Sequence, residues 1–337
     1  ISVAGTATTA PLATISAVST SGVEKITLSN FETSANDHTV DTSLMTGLTT
    51  VGLSSSGAAG DVAFTNVKNL VEAEMNNGAG NLTVTYNAAV VAGTTDAQTL
   101  NVSNLSAGTF TAAGAETVTV NGSLVASTLS GVVSSAITNL TATGDQNLTI
   151  SNATTFAVVT DTAAIASTID GSAMTGNLSV LIGDTSTVKV TGGSGADTIN
   201  MAGTLETNDV IDGGDGVDTL TMDAAALSTQ LTNVSNVETL SFNPVIAASA
   251  MDVSKLSAGI TTVIVDGSDQ TDGSTPAKLA ASVTNLSGQT VVLKHGRADV
   301  ADTDDSDGNT LTITNATDTA ADTVSITLDG IGSGSTV

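Results

Sequence analysis

The sequence predicts an all-β protein, an elongated parallel β-solenoid or β-roll with a few short helices. Three observations carry that expectation. Short runs of alternating apolar and polar residues recur along the whole chain, large rings are scarce in a chain rich in aliphatic residues, and two nine-residue glycine- and aspartate-bearing segments follow one another within 192–221.

The runs include Lys25-Ile26-Thr27-Leu28, Leu82-Thr83-Val84-Thr85-Tyr86, Asn147-Leu148-Thr149-Ile150, Thr187-Val188-Lys189-Val190 and Thr262-Val263-Ile264-Val265. Each sets its apolar side chains on one face at a spacing of two, the mark of a half-buried strand. Strands so short and so numerous fit a solenoid or a sandwich. Internal likeness favours the solenoid, because Val23-Glu24-Lys25-Ile26-Thr27-Leu28, Ala115-Glu116-Thr117-Val118-Thr119-Val120 and Val237-Glu238-Thr239-Leu240-Ser241-Phe242 resemble copies of one unit. Their spacing is irregular, so no uniform repeat length is expected. Helical patterning is confined to 62–75 and 224–231, where Thr, Asn and Ser stand nearby as caps.

Composition points the same way. Aromatic residues are 2% of the 337, with no Trp and one Tyr, Tyr86, while 40% are hydrophobic, so the core must be many thin aliphatic layers rather than one thick centre. Cysteine is absent, which removes disulfides and thiolate metal sites and leaves an oxygen-seeking cation as the available staple. Seven Lys and Arg against 33 Asp and Glu give a net charge of −26. Such a field repels nucleic acid and anionic membrane surfaces and makes cations the natural counterpart. No apolar run approaches the roughly 20 residues that span a bilayer, so membrane insertion is not expected. The chain opens at Ile1 without a signal peptide and closes on Gly-Ser-Gly-Ser-Thr-Val, and we read it as part of a longer one.

The central segments are Gly192-Gly193-Ser194-Gly195-Ala196-Asp197-Thr198-Ile199-Asn200 and Gly213-Gly214-Asp215-Gly216-Val217-Asp218-Thr219-Leu220-Thr221. Both fit G-G-x-G-x-D-x-U-x, with U a large aliphatic residue, the repeat of calcium-binding parallel rolls. Glycines let the chain turn its carbonyls into the loop, the Asp adds a carboxylate, and the next apolar residue enters the core. Calcium takes six to eight oxygens, more than one turn supplies, so two turns must stack. Asp209-Val210-Ile211 forms a third, degenerate rung, three residues longer than the repeat, and Val190 a fourth that lacks the Asp. The inward column is then Val190, Ile199, Ile211 and Leu220. Turns 192–197 and 213–218 should share one edge, with Asp209 on the other. The candidate metal ligands are Gly192, Ser194, Asp197, Asp209, Gly213, Asp215 and Asp218; an ordinary metal-free Gly/Asp loop is the competing reading.

Other acidic clusters are weaker. Asp304, Asp305 and Asp307 lie in an oxygen-dense stretch that fails the EF-hand pattern, since Gly308 at the sixth position puts Thr303 first and Thr314 twelfth. They remain candidate ligands, as does the trio Asp266, Asp269 and Asp272. Asn-x-Ser/Thr triplets at Asn81, Asn101, Asn104, Asn139, Asn147, Asn177 and Asn285 are read as turn residues before glycosylation acceptors. Catalysis finds no support. His38 and His295 are far apart, H-E-x-x-H, G-x-S-x-G and the P-loop pattern are absent, and the one Arg, Arg297, reads as a solvated loop residue. The chain is therefore not expected to be an enzyme.

At 187–220 the sequence resembles the RTX-repeat proteins, and specifically the type I-secreted surface-layer (S-layer) proteins of Gram-negative bacteria. The Thr/Ala/Val/Asn-rich body and Asn236-Val237-Glu238-Thr239-Leu240 extend the likeness more loosely. The resemblance implies an extracellular, calcium-folded structural protein that assembles with itself into a cell-surface lattice. Attachment to lipopolysaccharide would come indirectly, through a region outside this sequence. It carries Asp197 and Asp218 over as carboxylate ligands and Gly192, Ser194, Gly213 and Asp215 as donors of backbone oxygens. The repeats are fewer than in RTX toxins, and no secretion signal is recognisable. Three regions follow: an irregular solenoid body over 1–180, a calcium-roll segment over 181–240 and a β-rich continuation over 241–337. A large secreted calcium-binding adhesin or biofilm-matrix protein is the alternative.

Overall fold

A computed structural model describes residues 14–15, 19–31, 38–153, 167–183, 187–203, 205–223, 231–243, 249–255, 259–266, 280–294, 310–315 and 325–329. Over them the chain is nearly all β and winds into a solenoid of about nine coils. Consecutive strands alternate between two faces, and each pairs in parallel with its counterpart one coil on, so the expected all-β solenoid is what forms.

One face is a ten-stranded sheet running from Lys25–Leu28 to Val234–Ser235. The other begins as a six-stranded sheet ending at Gly131–Val133 and continues as a nine-stranded sheet from Ser127–Leu129 to Ser325–Asp329. The handover falls at Ser130. Ser127–Leu129 pairs forward onto Leu148–Ala153, Gly131–Val133 pairs back onto Thr109–Ala112, and Ser130 bonds Gly108 through both its N–H (2.8 Å) and its hydroxyl (3.2 Å). After Val234–Ser235 a three-stranded sheet, Ser249–Asp252, Ala280–Leu286 and Thr310–Asn315, follows.

Two aliphatic columns run through the core. Val118, Leu140, Ile169, Val190, Ile211 and Val234 stand in register along the ten-stranded sheet. Ile150, Val180, Ile199, Leu220, Leu240, Val263 and Val291 do so along the nine-stranded one. All are buried. Each such side chain removed from water contributes about 1.5–3 kcal/mol, so stability accumulates coil by coil, with Phe64, Phe110 and Phe242 the largest fully buried side chains. Tyr86 is a buried ring with a polar group; its hydroxyl donates to Gln98 and accepts the Val71 N–H, and burial raises its pKa to about 12.

The helix expected over 62–75 is instead two strands, Val62–Val67 and Glu72–Gly78, on opposite faces. Glu72-Ala73-Glu74-Met75 has good helix formers, but Phe64 pairs between Val40 and Val84, and Met75 between Leu53 and Val102. Pairing on both sides overrides local propensity. Positions 224–230 lie outside the described residues. Among the described residues there is no α-helix, only 3-10 geometry such as the turn Val253–Lys255.

The corners use a recurring device. A strand-final Asp closes a turn on the N–H two residues later and also accepts the side-chain amide of a left-handed Asn one coil on. Asp41 does this with Ser43 (2.8 Å) and Asn66 (2.9 Å; φ 56°), and Asp252 with Ser254 (3.0 Å) and Asn285 (2.7 Å; φ 59°). These donors hold both carboxyls below the usual aspartate pKa. The triplet residues Asn81, Asn147 and Asn177 serve turns as expected, their Oδ1 accepting the N–H of Thr109, Asn177 and Ala196.

Candidate metal centre

The two glycine-rich turns lie at the entry edge of the nine-stranded sheet. Turn 192–197 leads into Thr198–Asn200 and turn 213–218 into Thr219–Asp223; because Thr198 pairs with Thr219, the turns stack one on the other. Asp215 N–H donates to Gly193 O (2.9 Å), joining them directly. Asp209 leads into Val210–Asp212 on the ten-stranded sheet, the opposite edge, as its spacing predicted. The inward residues Val190, Ile199, Ile211 and Leu220 are all buried, but as two facing pairs rather than a single column.

Glycine is required by the closeness of this stacking. A Cβ on Gly213 would fall on the carbonyl of Asn236 and 2.7 Å from Asp218 Oδ2, and one on Gly192 would fall on the carbonyl of Gly213. Gly214 and Gly216, at φ +93° and +128°, lie in backbone conformations that side chains resist. The carbonyl oxygen of one turn is thereby brought against a glycine of the other at this edge: Gly213 O against Gly192, Gly193 O against Gly214 and Gly195 O against Gly216.

The carboxylates form a ladder along the same edge. Asp197 Oδ1 accepts Leu178 N–H (2.7 Å), Asp218 Oδ1 accepts Asp197 N–H (2.7 Å), and Glu238 Oε2 accepts Asp218 N–H (2.8 Å). Each acidic side chain satisfies the strand-entry donor of the coil before it. Asn177 Oδ1 returns a bond from Ala196 N–H (3.0 Å), so the first step of the ladder is closed from both sides.

The two motif rungs differ at the second oxygen. Asp197 Oδ2 accepts Gly193 N–H within its own turn. In the next rung the equivalent donor, Gly214 N–H, goes to Asp212 Oδ1 (3.2 Å), which also takes the amide of the left-handed Asn236 (2.7 Å). Asp218 Oδ2 is left buried with no hydrogen-bond partner. Asp218 as a whole is 1% exposed. Burial pushes its pKa up to about 6, and the charges of Asp197, Glu238 and Asp212 push the same way. Burial also raises Asp197, against its two N–H donors. An orphaned buried carboxylate oxygen among like charges calls for a cation, and in this respect the residues present fit one.

The other expected ligands are placed unevenly. Ser194 and Asp215 are exposed at the turn tips, Ser194 bonding Met174 O through its N–H (3.0 Å), and their side chains stay outside the buried rung. Asp209 is buried, but its carboxylate accepts Val188 N–H (2.8 Å) and Glu206 N–H (2.7 Å), so the longer loop closes on its own Asp at a distance from the other two turns. Asp304, Asp305 and Asp307 lie outside the described residues, as do Asp269, Asp272, His295 and Arg297, while Asp266 ends the strand Thr262–Asp266. Among the described residues no three His, Asp or Glu side chains converge as a metal-holding group, so a cation here would draw on backbone carbonyls beside Asp218. Glu238 was missed as part of this edge because it carries no glycine motif. Its signal was register, since Thr219 pairs with Thr239 and the residue before each is acidic.

No family model matches the chain, and no curated protein and no solved structure matches it.

Proposed function

We propose that this chain is a calcium-dependent structural segment of a secreted, self-assembling cell-surface protein of the S-layer kind, in which stacked turns 192–197 and 213–218 act as a calcium clasp. The observation that carries the clasp is the unpartnered, buried Oδ2 of Asp218, set beside closely stacked glycine turns whose carbonyls approach the glycines of the neighbouring coil, and among Asp197, Asp212 and Glu238. Asp218 would give a carboxylate oxygen and the turns their carbonyls; Asp197, whose oxygens already accept N–H groups, keeps lone pairs for a further bond. Calcium suits such a mixed, carbonyl-rich donor set better than magnesium, which demands near-ideal octahedral geometry. A bound ion supplies positive charge to a chain of net charge −26 and so couples folding to the calcium-rich exterior.

A solenoid wound coil by coil from thin aliphatic layers supports a structural role. The test is calorimetric calcium titration of the whole chain, with circular dichroism and particle size followed into excess chelator. Saturable binding with loss of β signal or of assemblies on chelation is expected. Unchanged spectra and unchanged size would sink the proposal, and monomers that instead bind glycan would favour the adhesin alternative.

A further inference from the structure

The turns 192–197 and 213–218 share the pattern G-G-x-G-x-D, yet their backbones differ. Gly214 and Gly216 take φ +93° and +128°, whereas their counterparts Gly193 and Gly195 lie outside the left-handed region. The carboxylates themselves are placed alike: a Cβ on Gly192 would stand 2.5 Å from Asp197 Oδ2, and one on Gly213 2.7 Å from Asp218 Oδ2. What differs is the backbone donor. Gly193 N–H goes to its own Asp197, while Gly214 N–H goes to Asp212.

The cause lies in the residue before each turn. Strands Val188–Thr191 and Val210–Asp212 pair with Thr191 opposite Asp212, so the first turn is entered from a Thr and the second from an Asp. Asp212 repeats the corner device of Asp41 and Asp252, accepting the N–H two residues on (3.2 Å) and the amide of a left-handed Asn one coil on, here Asn236 (2.7 Å; φ 51°). Pairing of Asp212 with Ser235 sets Asn236 beside it; the matching position for Thr191 is Gly213, which has no amide to offer.

We infer that Asp212, clamped by Asn236, is a positioning residue that holds turn 213–218 open to its ion. Two carboxylates compete for one N–H. By taking it, Asp212 leaves Asp218 Oδ2 buried and unpartnered, and a cation answers for the missing donor. Without Asp212, the course of turn 192–197 becomes available: Gly214 N–H would turn to Asp218 Oδ2 and satisfy it with no metal. The chain thus holds one motif in two forms, closed at Asp197 and open at Asp218. The open form is unfavourable without metal, because a buried carboxylate oxygen goes without a donor. Removing the device should therefore lower calcium affinity and raise metal-free stability, a pair of opposite signs that loss of a merely structural contact does not give. The inference rests on the calcium clasp proposed above and names what keeps it open.

The experiment uses the whole chain, titrated with calcium by calorimetry and melted in excess chelator. Asp212→Thr gives the second turn the entry residue of the first; Asp212→Asn removes the same charge but keeps an oxygen for Gly214 N–H and the Asn236 amide. Relative to Asp212→Asn, Asp212→Thr is expected to bind calcium at least about ten-fold more weakly and to melt at a higher temperature in chelator. Asn236→Gly suits the left-handed φ, deletes only the amide and retains the Asp212 charge; it is expected to weaken calcium about three-fold or more, the worth of one hydrogen bond, and it decides the matter should Asp212→Thr not fold. Equal affinities for Asp212→Thr and Asp212→Asn, or a lower chelator midpoint in Asp212→Thr, would overturn the inference while the clasp stands. Unchanged affinity in Asn236→Gly would overturn the clamp. If the unaltered chain binds no calcium, clasp and device fall together.

Discussion

Asp218 accepts the backbone N–H of Asp197 through Oδ1 at 2.7 Å and leaves Oδ2 buried and unpartnered. One oxygen is committed to the fold and the other is available, so the two roles of this side chain can be separated by substitution.

Asp218→Asn keeps an oxygen for the Asp197 N–H and removes the charge. Calcium affinity should fall at least about ten-fold, a loss of roughly 1.4 kcal/mol or more, with the folded spectrum in high calcium retained. Asp209→Asn, on the opposite edge, should leave that affinity within about two-fold. Isothermal titration of the three proteins decides the matter, and equal losses in both variants would remove Asp218 from its special position.

The same carboxyl should set a pH dependence in chelator. Its folded-state pKa, about 6, lies above the ordinary 3.8, so folding favours the protonated form. That stabilisation is complete below about pH 4 and is lost as pH rises through 6. The metal-free thermal midpoint should therefore drop between pH 4 and 7 more steeply in the unaltered chain than in Asp218→Asn. Parallel pH profiles for the two would contradict the buried-carboxyl account.

Glu238 extends the ladder by accepting the Asp218 N–H at 2.8 Å. Glu238→Gln preserves an acceptor, whereas Glu238→Ala leaves the donor without one, at a cost of about 1–3 kcal/mol. Urea midpoints should fall for the alanine variant and stay near the original for glutamine. Similar falls in both would mean that charge, not the hydrogen bond, is what Glu238 provides.

Gly213→Ala tests the stacking. Its Cβ would meet the Asn236 carbonyl, which is backbone and cannot swing aside. A loss of about 1–3 kcal/mol is expected, together with weakened calcium binding, because coils must part at the turn that carries Asp218. Gly183→Ala, which meets nothing nearby and, like Gly213, lies outside the left-handed region, controls for the loss of a glycine alone.

The sequence made the inward half of the structure readable. Alternation located the strands, and the spacing of Asp197, Asp209 and Asp218 correctly put the first and third on one edge and the second on the other. Period-two patterning records which side chains face the core, and in a parallel stack that is nearly the whole fold. Residues 62–75 misled because Glu72, Ala73, Glu74 and Met75 favour helix locally while long-range pairing decides otherwise. Glu238 and the division of labour between the Asp197 and Asp218 oxygens were not readable, since both depend on which coil lies against which. The departure of Gly214 N–H to Asp212 likewise follows from Asn236, 22 residues along the chain and one coil away.

The ladder also has a direction. Asp197, Asp218 and Glu238 each reach back to the preceding coil, so the strand-entry N–H of a coil in this stretch stays unsatisfied until the coil after it arrives. A chain emerging N-terminus first would finish every coil here one step late, each new carboxylate latching the coil already laid down. Backbone closure would then advance like a ratchet with the order of synthesis or export, and Glu238 would be the last tooth.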